Sequence, residues 1–289
     1  MKNDALRYLQ VKTIVKCPLC SASGRRVFEL NMASPEEPQR AVECTTCGLI
    51  YMNSVVADED IARLYEGYEV QRVAEDTALR EKRTRMYALD YAFVKRFLPI
   101  SCTEVLDVGC GEGDFLGHLE DSVRLYGIEV DSRARTRAAA AHPSALFYDS
   151  FVSVPPGQLF DAIVFRGTLQ YMPNLEATRD FCLSHLKPGG VLFILALPNA
   201  DSLLARLQRE HWALFNRIEH RYYFGFKQLE RLFGPHLSMV AYDLPYLGTP
   251  YENYREDYQR VVSMCTEPEA RKKKVPFFGS IVNAVFTKQ

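Results

Sequence analysis

The run Glu104-Val105-Leu106-Asp107-Val108-Gly109-Cys110-Gly111-Glu112-Gly113-Asp114-Phe115 constrains the fold more than any other stretch of the chain. An apolar segment rich in valine and leucine carries an acid near its end, and glycines then stand at alternate positions, 109, 111 and 113. The order predicts a strand over 104–108, a tight turn, and a helix N-terminus from Asp114. Glycine reaches positive φ without steric cost, and a bare backbone lets a ligand lie close. A helix N-terminus would add unpaired N–H groups for a negatively charged group. The spacing is GxGxG. A dinucleotide fingerprint, GxGxxG, needs glycine at 114, where this chain has Asp. Asp107 also suits a ligand with a cationic amino group better than a pyrophosphate.

A second such segment follows. Arg124-Leu125-Tyr126-Gly127-Ile128-Glu129-Val130-Asp131 reads as a strand ending in an acid. A carboxylate placed there can accept both hydroxyls of a ribose. By themselves these two pieces also suit an ordinary βαβ corner or another nucleotide site.

With both segments in place, the chain resembles the class I S-adenosylmethionine-dependent methyltransferases. Phe160-Asp161-Ala162-Ile163-Val164-Phe165 resembles the family's fourth strand, and Leu186-Lys187-Pro188-Gly189-Gly190-Val191-Leu192-Phe193-Ile194 its helix–turn–fifth strand, in the family's order. The resemblance implies an α/β fold: a Rossmann-like, mostly parallel seven-stranded sheet with helices on both faces. Its ligand would sit at the carboxyl ends of the strands. Leu146-Phe147-Tyr148 would be the third strand, and 237–244 with 281–286 a final antiparallel pair. The implied cofactor is S-adenosylmethionine. Asp107, Gly109 and Gly111 would hold it at the turn, and Glu129 would bind its ribose. Val130 would pack on the adenine face, and Asp149, with Ser150 and Phe151 beside it, would accept the adenine amino group. Phe165 to Gly167 would lie beside the methionine half.

The second strong feature is a pair of CxxC motifs, Cys17-Pro18-Leu19-Cys20 and Cys44-Thr45-Thr46-Cys47. Each can form a turn presenting two thiolates, and four thiolates complete a closed tetrahedral zinc site, which is structural rather than catalytic. Gly24 and Gly48 follow the pairs where tight turns need them. Short strands over 25–30, 39–43 and 49–52 make this a small N-terminal zinc ribbon, with Zn2+ supplying folding energy to a piece too small for its own core. A redox dithiol or an iron–sulfur site would use the same cysteines. The other four, Cys102, Cys110, Cys182 and Cys265, lack metal-ligand spacing and read as core or loop residues.

These features divide the chain into a zinc-ribbon-like module over 13–56, a helical linker or lid over 57–98 ended by Pro99, and a methyltransferase core over 99–289 with an acceptor-binding insertion at about 200–226. Tyr65 and Tyr68 of the linker could fold over the cofactor. Net charge is −1 and pI about 6.6, which gives no electrostatic reason to expect a nucleic-acid partner. No apolar run reaches the length of a membrane span. The start Met1-Lys2-Asn3-Asp4 lacks the plan of a secretory signal, so the paired cysteines point to a reducing, cytoplasmic setting.

The acceptor side departs from the family. Relatives carry a Glu-His pair after the fourth strand; here Gln170-Tyr171 stands in its place, followed by Met172-Pro173. Tyr171 could hydrogen-bond an acceptor or be a packed wall. The stretch His211 to Phe224, with the sole Trp at 212, is expected to line an acceptor pocket, and Tyr246, Tyr251 and Tyr254 could join it. The segment resembles one found in methyltransferases of bacterial glycans and specialised metabolites. His220, beside Glu219, is the leading general-base candidate; His211 is a second. The function expected is methyl transfer to a small molecule, by O-methylation of a sugar or specialised metabolite, with no catalytic magnesium. Alternatives are an RNA methyltransferase that grips its substrate with the ribbon, and a non-catalytic cofactor-binding scaffold. Oligomeric state is not legible.

Overall fold

The structure, a computed structural model, describes residues 10–29, 40–65, 77–119, 123–215, 220–273 and 275–289. Tyr68 of the expected lid and Glu219 lie outside the described residues.

The N-terminal region holds five short strands: β1 (Val11–Thr13), β2 (Arg25–Glu29), β3 (Arg40–Cys44), β4 (Ile50–Met52) and β5 (Ser54–Val56). A short helix α1 (Ile61–Tyr65) and a long one, α2 (Thr77–Lys95), lead to the core. There the order is β6 (Glu104–Val108), β7 (Arg124–Ile128), α3 (Ser132–Ala141), β8 (Leu146–Tyr148), β9 (Phe160–Arg166), α4 (Leu175–His185) and β10 (Leu186–Pro198). It continues with α5 (Leu203–Gln208), β11 (Tyr222–Tyr223), α6 (Phe226–Phe233), β12 (Leu237–Asp243), α7 (Tyr254–Thr266) and β13 (Ile281–Lys288).

Seven strands form the central sheet in the order β12-β13-β10-β9-β6-β7-β8, parallel from β10 to β8 and antiparallel at β13 and β12. Alternate side chains leave opposite faces. Leu106, Ile163, Phe165, Leu192, Ile194 and Phe286 pack in one core with Phe181 of α4 and Leu229 and Phe233 of α6. Val105, Ala162, Val164, Phe193, Leu195 and Val285 pack in the other with Phe93 and Val94 of α2. Helices therefore cover both faces, and the near-continuous apolar runs of β9 and β10 are those of strands buried on both sides.

Two expectations are corrected. The chain after Gly113 makes only a 3-10 turn, Leu116–His118, not an α-helix with open N–H groups. Gly111 and Gly113 hold left-handed φ of 57° and 83°, Gly117 weakens helix propensity, and β7 begins soon afterwards at Arg124. The ribbon sheet, moreover, does not end with its own strands. It is four-stranded, β11-β4-β3-β2, and its last strand comes from the segment before α6, with Tyr222 opposite Tyr51 and Tyr223 opposite Ile50.

Candidate active site and metal centre

A cleft of about 510 Å3 opens at the carboxyl ends of β6, β7, β8 and β9. Asp107, Gly109, Gly111, Glu129, Val130, Asp149 and Ser150, all expected cofactor contacts, line it, together with Phe151. Phe165 does not: its side chain is wholly buried in the core, because strand alternation turns it away, and Arg166, Gly167 and Thr168 stand at the cleft instead.

Two of the lining acids are held by local hydrogen bonds. Glu129 accepts the N–H of Gly111 at 2.9 Å and of Asp131 at 2.8 Å, and Asp131 in turn caps α3 through the N–H of Arg133 at 2.9 Å. The Glu129 carboxylate is thus fixed between the glycine turn and a helix start. Asp149 accepts the hydroxyls of Ser153 and Ser150, which hold its carboxyl below the usual range. Gly109 has φ 76°, and a side chain there would come within 2.4 Å of Thr168, so glycine is required where the turn meets the end of β9.

Asp107 is different. Its Oδ1 is buried with no hydrogen-bond partner among the described residues. Burial pushes its carboxyl up to about 7, Arg166 pulls it down, and Glu129 raises it further. A buried acceptor without a donor is costly unless a ligand supplies one. A cationic amino group would satisfy the oxygen and restore the charge, which is the fit expected for the amino-acid end of S-adenosylmethionine. The Glu129 carboxylate at the end of β7 fits a ribose.

The rest of the lining includes Asp58, Ile61, Tyr65, Tyr87, Phe115, Arg166, Tyr171, Met172 and Pro173. Tyr171 meets His220 here: its hydroxyl lies 3.1 Å from Nε2, with ring centroids 5.0 Å apart. His220 is 3% exposed and does not line the cleft, so it reaches the cleft only through Tyr171. Arg166 is the one Lys or Arg among the described lining residues. Its Nε donates to Asp90 Oδ2 at 2.8 Å, Asn283 holds the other oxygen at 2.9 Å, and the guanidinium lies 4.0 Å from the Tyr87 ring centroid. Arg166 lies in the stretch 165–167 expected beside the methionine half, whereas Asp58 and Tyr87 were not expected at the cleft.

The expected aromatic lining is corrected. Trp212, Phe215 and Tyr223 are buried against Ala41, Met52 and Val55 of the N-terminal strands and Val261 and Met264 of α7, and none lines the cleft. Tyr246 is buried on Asp257 at 2.8 Å, while Tyr251 and Tyr254 are exposed away from the cleft lining. His211 lies 3.9 Å from Glu210 and is likewise not a lining residue. Such rings form core wherever two elements close over them, which residue type alone does not reveal.

The four cysteines do converge. The sulfurs of Cys17, Cys20, Cys44 and Cys47 lie within 4.8 Å of one another, with Cys17–Cys47 and Cys20–Cys44 at 3.5 Å. A tetrahedral Zn–S4 site of ordinary bond length sets sulfurs about 3.8 Å apart, so the donor set fits Zn2+. The two knuckles share one geometry. Cys17 O accepts Ser21 N and Cys44 O accepts Gly48 N, both at 2.8 Å, and Ser21 and Gly48 have φ of 58° and 75°. Ser21, not Gly24, is therefore the left-handed residue of the first knuckle. Within the cluster, burial raises the Cys17 and Cys47 thiols, whereas at Cys44 burial is outweighed by the N–H groups of Cys47 and Thr46, which bring it down to about 7.

A seven-stranded, mostly parallel sheet with acids and glycines at its carboxyl edge is the architecture of nucleoside-cofactor methyltransferases. A family model described as a methyltransferase domain matches residues 72–235, more than half of the chain, and the chain belongs to that family. Over 122 residues it is 31% identical to the ubiquinone biosynthesis O-methyltransferase of Xylella fastidiosa (37% of this chain, 46% of that protein). Over 110 residues it is 29% identical to the trans-aconitate 2-methyltransferase of Azoarcus (37% and 44%). The chain spans about half the length of these curated relatives. The solved complex of the Haloferax volcanii Trm112 methyltransferase activator and a methyltransferase contains a chain of like fold: TM-score 0.56, 16% identity, 77% of this chain and 97% of that one. No helix among the described residues is long and apolar enough to cross a membrane.

Proposed function

We propose that this protein transfers a methyl group from S-adenosylmethionine to an oxygen of a small molecule, a sugar or a specialised metabolite. The observation that carries the reading is the hydrogen bond between buried His220 and Tyr171, which lines the cleft together with Asp107 and Glu129. Both sequence relatives are named as methyltransferases of small molecules. The aromatic faces of Tyr65, Tyr87, Phe115 and Tyr171 give a ring-shaped acceptor flat surfaces to pack on, with few polar groups to orient it.

When bound, S-adenosylmethionine supplies a methyl group already activated on sulfur, so the protein mainly positions an acceptor and manages its proton. Asp107 would hold the amino group and Glu129 the ribose of the bound cofactor in the cleft that Tyr171 also lines. Tyr171 Oη accepts the acceptor hydroxyl proton and passes its own to His220 Nε2, which serves as the base in the tautomer that leaves Nε2 unprotonated. His220 thereby replaces the histidine that relatives carry one turn after the fourth strand. Zn2+ held by Cys17, Cys20, Cys44 and Cys47 has a structural role only, since four thiolates leave no open position. Incubation of the purified chain with S-adenosylmethionine and a panel of hydroxylated sugars, nucleotide sugars and phenols tests the proposal. Formation of S-adenosylhomocysteine together with an O-methylated product supports it. A product methylated on RNA, or none with any acceptor, counts against it.

A further inference from the structure

We infer that the four-cysteine ribbon sets the geometry of the acceptor wall of the cleft, and that Arg221 is the positioning residue joining them; this rests on the metal reading of the cysteines and on the acceptor reading of Tyr171. Three independent ties connect the metal knuckles to that wall. First, β4 follows directly from the Cys44–Cys47 knuckle and pairs with β11, and Met52 N donates to Arg221 O at 2.9 Å. Second, Cys47 O accepts Gln228 Nε2 at 2.7 Å, while Gln228 Oε1 accepts Gly225 N at 2.9 Å. One side chain thus closes both the second knuckle and the start of α6. Third, the Arg221 side chain, 6% exposed, donates Nη2 to Val56 O at 2.6 Å and Nη1 to Asp58 Oδ1 at 3.2 Å. Its own N–H donates to Gln170 O at 2.8 Å, next to Tyr171.

Arg221 therefore grips both sides of the acceptor wall at once. Its guanidinium holds the end of β5 and Asp58, from which Ile61 and Tyr65 follow into the cleft. Its backbone holds the turn that presents Tyr171, and His220 precedes it in the chain. A buried guanidinium is tolerated only while its partners stay in place, and those partners are the carbonyl that ends β5, a strand beginning two residues after β4, and the Asp58 carboxylate just beyond it. A two-residue strand such as β11 does not persist without its neighbour. A ribbon without its own core depends on metal to keep β3 and β4 folded. β6, β7 and β8, which carry Asp107 and Glu129, pair with one another and β9 and with no strand of the ribbon. Loss of metal should loosen the acceptor wall and spare the cofactor side.

The test uses the full chain, as purified, stripped of metal by a strong chelator under reducing conditions, and as Arg221→Ala, Arg221→Lys and Gln228→Ala. Four readouts are taken: zinc content, hydrogen exchange by mass spectrometry, emission of Trp212, and affinity for S-adenosylhomocysteine. Trp212 is the only tryptophan and is buried at the junction, its ring 5.9 Å from that of Tyr223. Stripping should lower protection at 168–173 and 220–224 by about tenfold or more and shift Trp212 emission to the red, with affinity for S-adenosylhomocysteine changed less than about threefold. Arg221→Ala should lose protection at 56–65 and 168–173 with zinc retained. Arg221→Lys, which can reach one of the two acceptors but not both, should recover part of it. Unchanged protection at 168–173 after stripping, or a parallel loss of S-adenosylhomocysteine affinity, overturns the inference. Full protection in protein that carries no zinc overturns the metal reading and the coupling together. Failure of the zinc-loaded wild type to bind S-adenosylhomocysteine contradicts the cofactor reading instead, and is separable because protection is measured without ligand.

Discussion

Glu129 and Tyr171 line the same cleft, yet they are held by different means. Glu129 is fixed by main-chain N–H groups two and eighteen residues away, at the start of α3 and in the turn after the neighbouring strand β6. Tyr171 is held by a histidine forty-nine residues on, and that histidine is placed by a strand that pairs with the ribbon. On the proposed reading, the cofactor side is carried by β6, β7 and β8, and the acceptor side is assembled from the N-terminal strands, α1, α2, the turn after β9 and the segment before α6. A site built from distant pieces can change without disturbing one built within neighbouring strands.

The sharpest way to break this contrast is at His220. His220→Ala should reduce turnover on the true acceptor by about 10²–10⁴-fold, the range for a lost general base, with cofactor affinity near that of the wild type. Tyr171→Phe should cost a similar factor, and the double variant should be little worse than either single one, since the two act as one unit. Normal turnover in His220→Ala would demote the pair to a packed wall.

The next effect belongs to the other side. Glu129→Ala should weaken S-adenosylmethionine binding by about 1.5–3 kcal/mol, the range for hydrogen bonds to a charged group. The same change should leave protection of the Tyr171 turn intact. Calorimetry with unchanged affinity would remove Glu129 from the ribose.

What was legible in the sequence follows the same divide. The glycine turn, Asp107 and Glu129 could be placed because each is defined by spacing inside one short unit, and Asp149 because the resemblance implied it; Asp107, Gly109, Gly111, Glu129 and Asp149 all line the cleft. The CxxC pairs were legible because each knuckle is a local turn. Tyr171 and His220 were each singled out, but their hydrogen bond was not, since no spacing rule links a 3-10 turn after one strand to a residue far along the chain. Trp212 to Phe224 was read as pocket lining when those rings are the core that welds β4 to β11. Aromatic residues satisfy either environment, and only the chain returning to the ribbon decides between them. The helix expected after Gly113 failed because two left-handed glycines and Gly117 outweigh the amphipathic pattern around them.

A smaller effect is set by Asp107. Its folded carboxyl is raised to about 7, chiefly by burial. A raised carboxyl favours the protonated fold, so this group's contribution to stability is present below its unfolded value near 4 and is lost as pH rises through about 7. A cationic amino group reverses the preference by stabilising the carboxylate. Affinity for S-adenosylhomocysteine should therefore rise about tenfold between pH 6 and pH 8, with proton release below pH 7 visible as a dependence of binding enthalpy on the buffer. Asp107→Asn should flatten that profile. A wild-type affinity independent of pH would show that the ligand's amino group lies elsewhere.

Cofactor binding and acceptor chemistry are proposed to reside in separable halves of one cleft, and calorimetric titration of S-adenosylmethionine into the wild type, Glu129→Ala and His220→Ala tells them apart. One micromolar site is expected in the wild type, an unchanged site in His220→Ala, and binding weakened by at least about tenfold in Glu129→Ala. No binding to the wild type, or equal weakening in both variants, would contradict it.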